Sequence, residues 1–317
     1  MRIARAADHG LVTLALAIAA DALWGEPPAC CHPVALMGRA IATAERHAPR
    51  APVPALAFGA ALALGGTAAC GLATWLLIQA MGRAPTPLRL ASTALLLKST
   101  FAMRALDDAA GTVGAALAHG DLLGAREALR ALVSRDASVL HAPLISAAAV
   151  ESVAENLSDS FLAPLFWYTL LGLPGAVAYR FVNTCDAMLG YRGRYEYLGK
   201  AAARLDDAAN WLPARLTALL LVIAARLIGA DGRGAWRVMW RHHARTASPN
   251  AGWPMSAAAG ALGVRLEKMG HYTLGDGPRP GPSAIPAAVA LARTAAALAL
   301  SGYVCWALAR RCDAAAA

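Results

Sequence analysis

The chain has 317 residues, 58% of them hydrophobic and only 15% charged, with a mean hydropathy of +0.46. A soluble domain of this length has no use for so much apolar surface, so an ordinary globular protein is excluded. The formal charge of +9 comes mainly from arginine, which suits anionic lipid headgroups, and no basic tract with interleaved aromatics points to nucleic acid.

Residues 51–82 carry no Asp, Glu, Lys or Arg. At about 1.5 Å per residue this run exceeds the roughly 20 residues that cross a hydrocarbon core. Weaker apolar segments are 9–23, limited by Asp21; 160–179, interrupted by Pro164, Gly172, Pro174 and Gly175; 212–228; and 284–309, which contains Arg293. Trp24, Trp75, Trp167, Trp211 and Trp306 lie in or beside these segments, as aromatic belts would place them. The fold class expected is therefore all-α: a polytopic helical membrane protein of four or five spans, one domain over 1–317. Arg2 and Arg5 before an apolar run resemble a signal peptide, but Asp21, Gly25 and His32 just beyond it belong to a motif, so this segment is expected to stay. Six cysteines without zinc or Cys-x-x-Cys spacing read as small packing residues.

Between the second and third apolar segments, 88–158 reads as an amphipathic helical layer, with Asp121 as N-cap of a helix over 122–134. The region 180–211 is polar. The region 229–283 is the most irregular, since Ser248–Pro254 and Gly275–Pro282 favour turns.

Four polar groups stand out. Glu151, Glu155 and Asp159 are four apart and share a helix face beside Asn156; no Lys or Arg between Arg135 and Arg180 relieves them, so compensation must come from elsewhere. A solvated face, Mg²⁺ or a cationic ligand each accounts for that stripe. Asp206, Asp207 and Asn210, flanked by Arg204 and Arg215, suit either a nucleotide-metal site or local ion pairs at a helix end. Arg180, Asn183 and Thr184 share a face near Asp186, as a site or as a hydrated turn. Lys98, inside an apolar run, either reaches towards the headgroups or contacts phosphate, and His32 is a packed or capping residue or a base. No P-loop, Rossmann glycine pattern, nucleophile elbow or His-Glu-x-x-His occurs, so any ATP is used without a common nucleotide fold.

In order, the chain carries Asp21-Ala22-Leu23-Trp24-Gly25-Glu26-Pro27, His32-Pro33-Val34…Gly38, Arg135-Asp136, Glu151-Ser152-Val153-Ala154-Glu155-Asn156…Asp159…Pro164-Leu165-Phe166, Asn183-Thr184…Asp186…Gly190-Tyr191, Arg204-Leu205-Asp206-Asp207…Asn210…Pro213-Ala214-Arg215 and Ser248-Pro249-Asn250-Ala251-Gly252. This ordered set resembles the adenosylcobinamide-phosphate synthase family of cobalamin biosynthesis over nearly the whole chain. Glu26 stands where that family usually has Asp, Ala137 where Thr is common, and Ser160 where Gly is usual.

The resemblance implies ATP-dependent amide formation between a propionate of adenosylcobyric acid and aminopropanol phosphate or a related amino-alcohol phosphate, with ATP and Mg²⁺ required. It implies a multi-pass protein of the bacterial cytoplasmic (inner) membrane, with the corrinoid, the amino-alcohol phosphate, the lipid bilayer and other membrane-bound late-pathway enzymes as partners. On it, Glu151, Glu155, Asn156, Asp159, Asn183 and Asp186 are expected to be catalytic. Substrate and phosphate contacts are expected from His32, Lys98, Arg135, Arg180, Arg204, Asn210, Arg215, Ser248 and Asn250, and Mg²⁺ ligation from Glu155, Asp159, Asp206 and Asp207. A membrane sensor of the same fold and a transporter are the alternatives; the joint presence of every motif weighs against the first, and the absence of an inverted repeat against the second. ATP use requires the site to open to the cytoplasm, so at least one apolar segment is expected not to cross, and the breaks in 160–179 permit it to enter and leave on one side.

Overall fold

The computed structural model describes residues 2–316 except Arg135 and Arg192. Its helices are α1 (Arg2–Trp24), α2 (Pro33–Arg46), α3 (Pro52–Ala80), α4 (Thr86–Lys98), α5 (Met103–Ala118), α6 (Leu122–Leu129), α7 (Ala142–Leu157), α8 (Ala163–Leu189), α9 (Lys200–Ala209), α10 (Trp211–Leu227), α11 (Gly232–His242), α12 (Gly252–Leu262) and α13 (Ala284–Ala316). Strands β1 (Leu266–Lys268) and β2 (Tyr272–Leu274) form one antiparallel hairpin. The protein is thus an all-α membrane protein, with three helical stretches long and apolar enough to cross a bilayer: Pro52–Arg83, Ala142–Leu189 and Ala284–Asp313. A fourth is reached only if α9 and α10, bent by 47° at Asn210, count as one span, while His9–Trp24 falls short. Of the four or five spans expected from hydropathy, three or four are met by length and composition among the described residues. Asp21, near the C-terminal end of α1, is buried inside the protein at 4% exposure.

The chain divides into two compact units, one of residues 1–102, 163–209 and 303–317, the other of 103–162 and 210–302. In the first, α1 and α4 lie side by side in parallel. Arg89 reaches His9, Thr13 meets Thr93 at 3.4 Å, and Asp21 meets Lys98 at 3.1 Å. α3 is apolar on every side, as a lipid-facing helix is. It packs antiparallel to the second half of α8 through small residues, Gly71 against Pro174 and Ala178, and Gly66 against Phe181. Close approach of backbones through glycine is how helices associate where lipid removes the hydrophobic drive. A Cβ at Gly59 would come within 1.9 Å of the Leu198 carbonyl, which requires glycine there. Ile41, Ala63, Phe181, Cys185 and Leu189 form the centre of this unit. α8 is broken at Gly172 (φ 67°, ψ −161°), two residues before Pro174, so the apolar run at 160–179 is not one straight rod.

In the second unit α7 and α12 are core helices. Every residue from Leu144 to Ala154 and from Gly252 to Ala261 is buried. α7 is enclosed by α5, α6, α12 and the hairpin. The amphipathic layer expected over 88–158 therefore ends before α7, whose sides are all covered by protein. Asp121 does cap α6, accepting from the Gly124 amide at 2.8 Å. The region 229–283 is less irregular than its prolines and glycines suggest. Asp231 caps α11 by accepting from the Gly234 amide, and Pro254 sits in the first turn of α12, where a missing amide hydrogen costs nothing. Arg293 pairs with Asp107 at 2.7 Å. Of the cysteines only Cys185 is buried; Cys30, Cys31, Cys305 and Cys312 are exposed, contrary to a packing role.

Candidate functional site

The C-terminal ends of α1 and α4 bring together the first motif group. Lys98, 3% exposed, bonds to Glu26 and lies 3.1 Å from Asp21 Oδ1, so it does not extend towards the headgroups. His32 N-caps α2 by accepting from the Val34 amide through Nδ1, and its Nε2 meets Glu26 Oε2 at 2.6 Å. Because Nδ1 accepts, the ring proton sits on Nε2 and is donated to Glu26. The expected capping role of His32 is present, and Lys98 and His32 share one carboxylate.

The same unit joins the third and part of the second polar group. Arg180 donates to Asn183 Oδ1 at 3.1 Å, and Asn183 donates to Asp206 Oδ1 at 3.3 Å. Asp206 is 8% exposed on α9. The Arg204–Asp207 pair, at 3.6 Å and one helical turn apart, is the local ion pair that spacing allows. Asp186 lies one turn beyond Asn183, and its carbonyl accepts from Gly190.

In the second unit, Glu151 and Glu155 of α7 open into a polar recess of about 140 Å³, lined also by Ser134, Ser152, Lys268 and Tyr272. Tyr272 donates its hydroxyl to Glu151 Oε2 at 3.3 Å. Asn156 donates to the Ser152 carbonyl and hydroxyl, and Ser152 in turn donates to the Leu132 carbonyl, which ties α7 to the preceding loop. Asp159 does not line the recess, although four-residue spacing stacks it on Glu155. The helix passes into a π-turn at Ser158–Leu162, whose extra residue rotates the chain off the α register.

Arg215, Ser248 and Asn250 also meet in this unit. Arg215 donates to Asn250 Oδ1 at 3.2 Å and lies over the rings of Trp211 and Trp253. Ser248 Oγ accepts from the amides of Asn250 and Ala251. Asn210, 1% exposed, occupies the N-cap position of α10. Arg135 lies outside the described residues; Asp136 beside it accepts from the amide and hydroxyl of Ser138, which holds its carboxyl below the usual range. Among the described residues no three His, Cys, Asp or Glu side chains gather as a metal cage. A larger cavity of about 500 Å³ in the first unit, beside Tyr168 and Tyr303, contains none of the expected site residues.

The family model described as CobD/Cbib protein matches residues 14–300. The chain belongs to this family. A cobalamin biosynthesis protein CobD of Dehalococcoides mccartyi is 45% identical over 271 residues, covering 85% of this chain and 88% of that protein. One of Geobacter metallireducens is 40% identical over 282 residues, covering 86% and 88%. A probable CobD of Methanothermobacter thermautotrophicus is 42% identical over 264 residues, covering 83% and 86%. No solved structure matches the chain. Membership of the CobD/Cbib family gives the chain a part in cobalamin biosynthesis.

Two residues of the recess, Lys268 and Tyr272, escape the sequence reading. Strands of three residues are too short to register as periodic segments, yet a signal is present. Tyr272-Thr273-Leu274 alternates apolar and polar after Met269-Gly270-His271, a three-residue turn with Gly270 at φ 74°.

Proposed function

We propose that this protein is an ATP-dependent ligase that joins the propionate carboxylate of adenosylcobyric acid to the amine of aminopropanol phosphate, giving adenosylcobinamide phosphate. The observation that carries this reading is the pair of carboxylates on a largely buried helix, Glu151 and Glu155, open to a small polar recess in a member of a cobalamin-biosynthesis family. A carboxylate is a poor acyl donor, so ATP transfers its terminal phosphoryl group to a propionate oxygen. The amine then attacks the acyl carbon, and phosphate leaves with that oxygen. An ammonium must lose a proton before it attacks, and a carboxylate at hydrogen-bond distance accepts it. Arg180, Arg204 and Arg215 are the groups proposed for phosphate oxygens.

Mg²⁺ that arrives on ATP takes one or two protein carboxylates together with phosphate oxygens and water. Of the carboxylates expected to meet it, Asp206 or Asp207 of α9, beside Arg204, would hold the ion, which would neutralise phosphate charge. The proposed setting is the bacterial cytoplasmic membrane, multi-pass, with the site open to the cytoplasm beside other membrane-bound late-pathway enzymes.

The test supplies protein purified in detergent with adenosylcobyric acid, ATP, Mg²⁺ and aminopropanol phosphate, and follows the amide by mass spectrometry. Folded protein that yields no amide with any amino-alcohol phosphate would overturn the reading. Glu155→Gln is expected to lower turnover at least about a thousandfold with an unchanged melting temperature, the scale of losing a proton acceptor together with a ligand contact. An active Glu155→Gln enzyme removes this carboxylate from the reaction.

A further inference from the structure

The hairpin places one lysine over the carboxylate recess. Leu266 and Leu274 pair across the two strands and are both fully buried, which anchors the hairpin in the second unit. Side chains alternate faces along a strand, so Lys268 and Tyr272 fall on the same face as those anchors and pair with each other at the far end. Glu267, on the other face, bonds to Arg279 at 2.9 Å. The face that holds the leucines down therefore also points Lys268 and Tyr272 at α7. Both line the recess with Glu151 and Glu155. Tyr272 is tied to Glu151, and Lys268 Nζ stands 5.9 Å from the Tyr272 ring centre. Among the described residues no carboxylate makes an ion pair with Lys268. The recess thus carries carboxylates on its helix side, Glu151 bonded to Tyr272, and an ammonium on its hairpin side.

A recess of about 140 Å³ is well below the roughly 300–1,000 Å³ of pockets that enclose drug-sized ligands, so it does not enclose a whole ATP or corrinoid. Of the reactants in the proposed ligation only the amino-alcohol phosphate is small enough, and it is itself bipolar, with an ammonium at one end and a phosphate at the other. We infer that this recess is the amino-alcohol phosphate subsite, with Glu151 and Glu155 holding the ammonium, Lys268 holding the phosphate and Tyr272 positioning Glu151. The inference rests on the proposed ligation and adds Lys268 as the residue that recognises the phosphorylated form of the amine.

The experiment compares wild-type protein with Lys268→Met and Lys268→Arg, using aminopropanol phosphate and unphosphorylated aminopropanol as alternative amines. A charged hydrogen bond is worth enough to shift affinity about tenfold or more. Lys268→Met is therefore expected to raise KM for aminopropanol phosphate at least about tenfold, leave KM for ATP and for the corrinoid within about twofold, and narrow the preference for the phosphorylated amine. Lys268→Arg is expected to restore most of that preference. An unchanged KM for aminopropanol phosphate, or a rise confined to ATP, overturns the assignment. Calorimetric titration of aminopropanol phosphate into both proteins reads the same site without turnover. Binding lost in Lys268→Met supports the subsite even if wild-type protein forms no amide, and equal binding in both sinks it.

Discussion

Two lysines of this chain live under opposite conditions. Lys98, in the first unit, is enclosed and held by Asp21 and Glu26, so its charge is spent inside the protein. Lys268, in the second, stands half-buried over a tyrosine ring at the edge of a recess, with its charge facing a cavity. A compensated internal charge serves architecture, since an ammonium in an apolar setting is tolerated only with partners. A charge arranged around empty polar space serves recognition. Counting lysines does not separate the two; their partners do.

The sharpest way to break this comparison is to remove each charge and measure stability. Lys98→Met deprives Asp21 and Glu26 of the ammonium they share, and breaking a buried pair costs about 3–5 kcal/mol. Unfolding of the purified protein in detergent is expected to show a loss of that order; a loss under about 1 kcal/mol would mean the pair is not structural. The second test is pH. His242, 1% exposed, accepts from the Gly275 amide through Nδ1 at 2.8 Å. Burial, then the nearby Arg245, push its imidazole below the ordinary 6.5 against the pull of Asp276, and Arg241 pushes the same way. The unfolded chain then takes up the proton first, so stability is full above about pH 6.5 and declines as the pH falls below it. Asn at this position can place an oxygen where Nδ1 accepts, and His242→Asn is expected to flatten that decline. A pH dependence that survives the substitution would assign it to other groups. The smallest effect is that of Lys268→Met on stability, expected within about 0.5 kcal/mol because nothing folded depends on its charge. A large loss would make Lys268 another Lys98.

Much of the architecture follows from hydropathy alone. The charge-free run at 51–82 becomes α3, and Asp121 caps α6 as its residue type and place suggest. The pairing of Glu151 with Glu155 follows from helical spacing, but Asp159 departs from it because a π-turn is not written in spacing. The side chains that face the stripe across the recess are also hidden from local reading. Tyr272 and Lys268 lie more than a hundred residues along the chain, on strands too short to show a period. Lys98 illustrates the same limit, since its partners Asp21 and Glu26 are separated from it by all of α2 and α3. Residue type revealed that these charges needed partners, and only the fold supplied them.

The chain order of the two units has a consequence for how the protein is made. The first unit takes residues 1–102, 163–209 and 303–317, and the second takes 103–162 and 210–302. A ribosome that has released 160 residues has delivered α7 but not α12 or the hairpin that pack on it, and the first unit waits for residues 303–317. Each unit waits for segments far along the chain, so the buried face of α7, with its glutamates, lacks part of its cover until α12 and the hairpin have been made. Insertion of the nascent chain must therefore shelter that helix until the C-terminal third arrives.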